Sequence, residues 1–194
     1  TLLFGPAAIA APLAPLELRE VDDAYARWLE QHVPPAGPHP EPGYHLLEEV
    51  HAALGAWVAR RPYMVRPFMV GRTHEARPIW GYRIADPGHP VTHRVLVFGG
   101  IHAMEWISTE VALGFALWFV EHPIPGVELV VIPVLNVDGR RLSERDLLAG
   151  ENTFRRGNAQ RVDLNRDFPV HHDATSVWHH LLPGYHRASP ETLS

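Results

Sequence analysis

The chain has 194 residues, of which 46% are hydrophobic and 20% are charged, so it is long and apolar enough to form one domain with its own core. Its formal net charge is −5 and no long basic run occurs, so nucleic acid is not an expected partner. It has no cysteine, which excludes disulfides and thiolate metal sites, and no apolar segment long and uncharged enough to span a bilayer. A transition metal would be held by imidazole and carboxylate groups, and the sequence offers 14 histidines.

The first part of the chain is predicted to form an extension that precedes the main domain. Residues 2–15 are apolar and uncharged, and the sequence starts with Thr1, so we expect the natural chain to begin further upstream. This segment fits the remnant of a secretory signal, which indicates a secreted or periplasmic protein. It fits a Pro/Ala-rich tail equally well, and a cytoplasmic location stays open. Apolar spacing then predicts an amphipathic helix over residues 16–33, and the prolines of residues 34–43 predict a stiff linker.

Residues 45–98 are predicted to form a helix followed by three strands. The helix ends before Pro62, and the strands are β-rich runs bounded by turn residues. In chain order, these elements are a helix over 45–59, strands over 63–70 and 78–84 joined by a turn over 71–77, and a strand over 91–98.

The glycine turn that follows, residues 99–106, carries the first candidate site. It places His102 and Glu105 three residues apart at the start of a helix, where both side chains can point at one atom. An imidazole nitrogen and a carboxylate oxygen are ligands that zinc accepts, and a catalytic zinc has three protein ligands and a water. The alternative is a polar loop in which Glu105 only stabilises a helix N-terminus. The position between a buried strand and a helix favours a site, because open α/β sheets bind ligands at the carboxyl ends of their strands.

The order of elements around this motif predicts the fold class. A helix is expected from about Ser108, which could cap it, to about Glu121, and a strand that is apolar on both faces is expected over 127–135. The order strand, helix, strand indicates a right-handed crossover. We therefore predict an α/β fold with a mixed, mostly parallel central sheet and helices on both faces.

The region after the last strand is predicted to be mostly irregular. Residues 136–139 (Asn-Val-Asp-Gly) have the composition of a turn, and residues 140–162 form a long polar stretch. Such a stretch inside a compact domain is more typical of a functional loop than of a simple connection. It contains Phe154-Arg155-Arg156 and leads into residues 163–168, with the sequence Asp-Leu-Asn-Arg-Asp-Phe.

Taken together and in order, these motifs resemble the zinc carboxypeptidase family of the carboxypeptidase A and B type. The likeness runs from about Tyr44 to the end of the chain. It therefore predicts an N-terminal extension over residues 1–43 and a partial catalytic domain over residues 44–194. The ordered set is highly specific. The matching segments are residues 70–79, 100–107, 136–139, 154–156, 163–168 and 189–192.

The resemblance implies a site for one zinc ion. His102 and Glu105 would be two of its ligands, and Asp163 would accept the N–H of the His102 ring and so fix its tautomer and orientation. The family takes its third ligand, a histidine, and its catalytic glutamate from later in the chain, beyond Ser194. Five further histidines fall where the family has a surface loop and are expected to face solvent or to pack: His171, His172, His179, His180 and His186.

The resemblance also implies how a substrate is held. Asn165 and Arg166 would bind the terminal carboxylate of a peptide or protein, because a guanidinium offers two parallel N–H donors to a planar carboxylate. Arg155 would stabilise the oxyanion that develops at the scissile carbonyl, and it matches the family motif better than Arg156 does. Taken singly, each of these residues fits a turn or a surface ion pair, but the ordered set favours the site.

We therefore predict the N-terminal portion of a zinc metallocarboxypeptidase. The complete enzyme would remove C-terminal amino acids from peptides by attack of zinc-activated water, with the absent glutamate as general base. These 194 residues alone would have little or no activity, and their open sheet edge would favour aggregation. Two alternatives stay open, namely a zinc amidohydrolase of the aspartoacylase or succinylglutamate type and a non-catalytic module that binds carboxylates. Asn165 and Arg166 favour the peptidase.

Overall fold

The structure is a computed structural model that describes residues 18–32, 43–151, 154–168 and 191. The predicted signal remnant, residues 34–42 of the predicted linker and the five later histidines lie outside the described residues. In chain order, the elements are α1 (Leu18–Gln31), α2 (Leu47–Arg60), β1 (Val65–Arg72), β2 (Pro78–Ala85), β3 (His93–Phe98), α3 (Trp106–Glu121), β4 (Val127–Ile132), α4 (Val137–Leu148) and a short 3₁₀ helix (Leu164–Arg166).

The four described strands form one mixed sheet in the order β1-β2-β4-β3. β1 pairs with β2 and β2 with β4 in antiparallel fashion, whereas β3 and β4 are parallel and are joined by α3. The predicted α/β class with a mixed sheet is confirmed. In this part of the chain, the parallel character predicted for the sheet is confined to β3 and β4.

A single hydrophobic cluster joins the sheet to the helices. Alternate side chains of β2 and β4, such as Tyr82, Ile84 and Val131, lie in this cluster with apolar residues of α2 and α3. Tyr25 of α1 belongs to it as well and is 2% exposed, so the helix predicted within the N-terminal extension packs on the same core. The predicted boundary between residues 43 and 44 stays a prediction. None of the described helices is both long enough and apolar enough to cross a membrane.

Helix α3 begins two residues earlier than predicted, and the role expected for Ser108 is wrong. The helix starts at Trp106, with Glu105 in the N-cap position, so Ser108 lies inside the first turn. Its hydroxyl accepts a hydrogen bond from the Gly100 N–H at 2.9 Å and donates one to the Glu105 carbonyl at 2.8 Å. Ser108 therefore fastens the glycine turn to the helix and does not cap the helix end.

Helix α4 corrects the prediction of a turn at 136–139 followed by an irregular stretch. Residues 137–148 are helical, and the Asn136 side chain accepts a hydrogen bond from the Gly139 N–H at 2.9 Å. The helix was missed because several of its buried side chains are charged and therefore give no apolar period. These buried residues are Asp138, Arg140, Glu144 and Asp146.

Candidate metal site

Two glycines place the candidate site at the carboxyl ends of β3 and β4. Gly100 has φ +60°, which favours glycine, and a Cβ on Gly99 would lie 2.5 Å from the Ser108 carbonyl oxygen and 2.9 Å from that of Pro133. The backbone N–H of Leu135 donates to the Gly99 carbonyl at 3.0 Å, and that of Asn136 donates to the Gly100 carbonyl at 2.9 Å. The turn is thus packed between the start of α3 and the segment after β4, and it presents residues 101–105 above the strand ends.

The ring of His102 lies between two carboxylates. Its Nδ1 is 2.9 Å from Oε2 of Glu105, and its Nε2 is 3.2 Å from Oδ1 of Asp163. The histidine is 7% exposed, whereas the Glu105 side chain is 43% exposed. The structure therefore brings together the three residues that the sequence predicts for the metal site, with one ring nitrogen facing the accessible carboxylate and the other facing the buried one.

Asp163 is held by a cation as well as by the histidine. The Arg156 Nε donates to Oδ2 of Asp163 at 2.8 Å. Burial would raise the pKa of Asp163, but the hydrogen bond and charge of Arg156, followed by His102, outweigh it and leave the pKa below its ordinary value. Asp163 therefore stays ionised to a lower pH than an ordinary aspartate, and its carboxylate can accept the ring N–H of His102.

The two adjacent arginines have different partners. Arg156 joins the cluster, because its NH1 also lies 3.5 Å from Oε1 of Glu105 and its carbonyl accepts the Ala103 N–H at 3.2 Å. Arg155, the residue favoured by the sequence, donates from Nε to Asp146 on α4. The sequence favours Arg155 as the match to the family motif, and it contains no local signal that marks Arg156 as the partner of Asp163.

Asn165 and Arg166 lie beside the cluster on the short 3₁₀ helix. The backbone N–H of Asn165 donates to Oδ1 of Asp163 at 3.1 Å, the same oxygen that faces His102. The Asn165 residue is exposed, and NH1 of Arg166 donates to the carbonyl of Asn165 at 3.0 Å. Both residues predicted to bind a carboxylate therefore lie on the short helix that Asp163 caps, next to the carboxylate that faces the histidine.

The donors at this site suit zinc, but only in part. His102 and Glu105 offer one nitrogen and one carboxylate that face each other, which is the chemistry of a zinc ligand pair. Within the described ranges, no group of three histidine, aspartate or glutamate residues is arranged to hold a metal ion. The described residues thus provide two candidate ligands of the three that a catalytic zinc requires.

Comparisons with known proteins agree with the fold and the motif order. A sequence profile of the zinc carboxypeptidase family matches residues 50–191. Carboxypeptidase B2 of Rattus norvegicus is 27% identical over 145 residues, which cover 66% of this chain and 33% of that protein. Carboxypeptidase A6 of Mus musculus is 30% identical over 146 residues, which cover 66% of this chain and 32% of that protein. The structure of bovine thrombin-activatable fibrinolysis inhibitor in complex with tick carboxypeptidase inhibitor has a TM-score of 0.55 at 24% identity, covering 68% of this chain and 44% of that one.

Because the profile matches most of its length, the chain belongs to the zinc carboxypeptidase family, a family of zinc-dependent hydrolases that act on peptides. The predicted family resemblance is confirmed. The chain spans about a third of the length of the curated relatives named above. The similarity to the solved structure concerns the fold alone.

Proposed function

We propose that the complete protein is a zinc metallocarboxypeptidase in which His102 and Glu105 are two of the metal ligands. The orientation of the His102 ring is the observation that supports this best, because Nδ1 faces Glu105 at 2.9 Å while Nε2 faces Asp163 at 3.2 Å. A histidine ligand commonly binds metal through one ring nitrogen and donates the other N–H to a carboxylate. Nδ1 would therefore bind zinc beside Glu105, and Asp163 would hold the ring in that tautomer.

The proposed substrate is a peptide or protein with a free C-terminal carboxylate. Asn165 and Arg166 would bind that carboxylate, and their position on the short helix capped by Asp163 supports this assignment. Arg155 would stabilise the negative charge that develops on the scissile carbonyl oxygen. Its Nε is anchored by Asp146, so the two terminal nitrogens of its guanidinium would be the donors.

Bound zinc would polarise the scissile carbonyl and lower the pKa of a water molecule. The third ligand and the general base are proposed to come from polypeptide outside the described residues. A secreted or periplasmic location is part of the same proposal and is motivated by the apolar segment of residues 2–15.

Zinc titration of the 194-residue chain tests the ligand assignment. We expect one binding site whose affinity falls at least about tenfold in His102→Ala and in Glu105→Ala. Glu110→Ala is the matched control. Glu110 lies on α3, which begins directly after the candidate ligands, but its carboxylate pairs with His45 at 2.8 Å. Equal zinc affinity in all four proteins, each shown to be folded by circular dichroism, would contradict the proposal.

Substrate class is tested on the complete protein with three substrates: peptides with a free C-terminus, the same peptides amidated at the C-terminus, and N-acyl amino acids. Hydrolysis of the free peptides alone supports the carboxypeptidase. Hydrolysis of the N-acyl amino acids alone supports the amidohydrolase. No zinc-dependent turnover is expected from the purified 194-residue chain, and detectable turnover would show that it already contains a complete site.

A further inference from the structure

A tryptophan closes the loop that carries the two candidate ligands. Trp106 follows Glu105 directly, begins α3 and is 6% exposed. Its indole N–H donates to the carbonyl of Ala103 at 3.1 Å, which lies inside the four-residue span from His102 to Glu105. The position of the indole therefore fixes the shape of this span.

The indole is in turn covered by a buried arginine of α4. The Arg140 guanidinium carbon lies 3.5 Å from the centre of the Trp106 ring, and Arg140 is 2% exposed. A desolvated cation over an indole face is among the stronger cation–π contacts, because tryptophan is the best ring for it and no water competes. This stacked pair therefore connects helix α4 to the start of α3.

The guanidinium is itself fixed from two directions. Its Nε donates to Oε1 of Glu144 at 2.8 Å, and its NH2 donates to the carbonyl of His45. The same Glu144 oxygen accepts the backbone N–H of Leu47 at 2.8 Å, at the start of α2. Arg140 thus has a set orientation before any ligand or substrate is bound.

We propose that Arg140 is a positioning residue for the metal site, which acts through Trp106 on the distance between His102 and Glu105. The proposal rests on the proposed function for the role of those two residues. Arg140 would make no contact with metal or substrate. Its stack on Trp106 would keep the 102–105 span in the one shape that points both donors at the same place.

Backbone amide exchange in the metal-free 194-residue chain tests the ordering of the loop. The variant Arg140→Met with Glu144→Gln removes both charges together, so that neither is left buried and unpaired. Glu144→Gln alone is the control, because it keeps the arginine over the indole while the charges of Glu110 and Glu48 still act on the guanidinium. We expect the Ala103 and Glu105 amides to exchange at least about tenfold faster in the double variant than in the control, with the β4 amides unchanged. Equal exchange rates in the two variants would overturn the proposal. Trp106→Phe, which keeps an aromatic ring but loses the indole N–H, repeats the test at the tryptophan.

Zinc affinity separates this inference from the function on which it rests. We expect the double variant to bind zinc about tenfold more weakly than Glu144→Gln, the size of effect typical of residues that orient metal ligands. Matched affinities in these two variants, together with loss of binding in His102→Ala, would overturn the role of Arg140 and leave the metal site standing. If His102→Ala binds zinc as the natural chain does, the proposed function fails, and the exchange rates alone decide whether Arg140 orders the loop.

Discussion

Arg155 and Arg156 are neighbours in sequence, but they stabilise different parts of the molecule. Arg156 pairs with Asp163 and lies beside Glu105, whereas Arg155 pairs with Asp146 of α4. Arg156 therefore lowers the pKa of Asp163 at the candidate site, whereas Arg155 connects its own segment of the chain to α4. This division gives each residue a distinct and measurable consequence.

Replacing Arg156 by Met is expected to raise the pKa of Asp163. Burial then acts without the cation that opposes it, whereas Arg155→Met leaves that cation in place. Carbon-detected NMR titration of the metal-free chain measures this pKa in the natural protein and in both variants. An unchanged pKa of Asp163 in Arg156→Met would contradict the assignment of the cation.

The same substitution changes how stability depends on pH. A carboxyl group whose pKa is lowered by folding stabilises the protein above its unfolded pKa, and this stability is lost as the pH falls through the folded pKa. Arg156→Met should therefore reduce the stability that is lost when Asp163 is protonated at acidic pH, whereas Arg155→Met should leave that loss unchanged. Urea unfolding at a series of acidic pH values provides the measurement.

At the scale of elements, most helices and strands could be predicted because their apolar residues follow a simple period. Strands β1, β2 and β4 and helix α2 were expected within a few residues of their observed bounds. Helix α4 could not be predicted in this way, because its core-facing positions hold charged residues that are paired across the fold, such as Asp138 with Arg77 at 2.6 Å. Charge pairing between distant segments leaves no periodic trace in the sequence.

The candidate site also contains some residues that could be predicted from the sequence and others that could not. His102, Glu105 and Asp163 could be predicted, because the ordered motifs of a known family mark them, and the structure brings them together. The stacking of Arg140 on Trp106 could not, because a cation over an indole depends on how α3 and α4 pack and not on a local pattern. Local motifs identify the groups that could bind metal, whereas the packing that orients those groups appears only in three dimensions.

Helices α1 and α2 meet β2 around a buried polar network. The hydroxyl of Tyr82 lies 2.6 Å from that of Tyr25 and 2.7 Å from Nδ1 of His51. Burial, followed by the charges of Arg141 and His32, lowers the pKa of His51 from 6.5 to about 3. The packing of α1 therefore depends on a histidine that stays neutral.

This histidine should make the folded chain sensitive to acid. Between pH 6.5 and about 3 the unfolded chain binds a proton at His51 that the folded chain does not. The free energy of unfolding is therefore not reduced by His51 above this range, and it falls as the pH is lowered through the range. The slope from this one group is at most about 1.4 kcal/mol per pH unit. His51→Gln, which cannot titrate, should flatten the dependence of the unfolding free energy on pH, and the exposed His74→Gln should not. Equal slopes in all three proteins would contradict the lowered pKa.

At the scale of the whole molecule, one region exposes apolar side chains where a soluble surface is usually polar. Leu96 of β3 is 59% exposed and Trp118 of α3 is 47% exposed. Further large apolar residues of the same two elements are exposed as well: Val95, Phe98, Ile107, Val111 and Phe115. Exposed apolar side chains and a strand at the edge of the described sheet both favour association between molecules.

We therefore expect the purified 194-residue chain to self-associate with increasing concentration. The double variant Leu96→Lys with Trp118→Lys should shift the association to concentrations at least about tenfold higher, because charge on an exposed strand edge and on a helix face opposes contact. Leu148→Lys is the matched control, since Leu148 is 60% exposed but lies on α4. Analytical ultracentrifugation measures the effect, and an equal response in the control would contradict the assignment to β3 and α3.

One carboxylate oxygen of Asp163 contacts both a proposed metal ligand and a residue proposed to bind the substrate. Oδ1 of Asp163 faces Nε2 of His102 at 3.2 Å and also accepts the backbone N–H of Asn165 at 3.1 Å. A ligand that draws Asn165 away alters the hydrogen bonding available to the histidine, and an ion that turns the histidine alters what Asn165 can present. Thermodynamic reciprocity then requires that occupancy on one side change the affinity on the other by the same factor. Metal loading and recognition of a chain terminus would in this way be coupled equilibria that share a single acceptor.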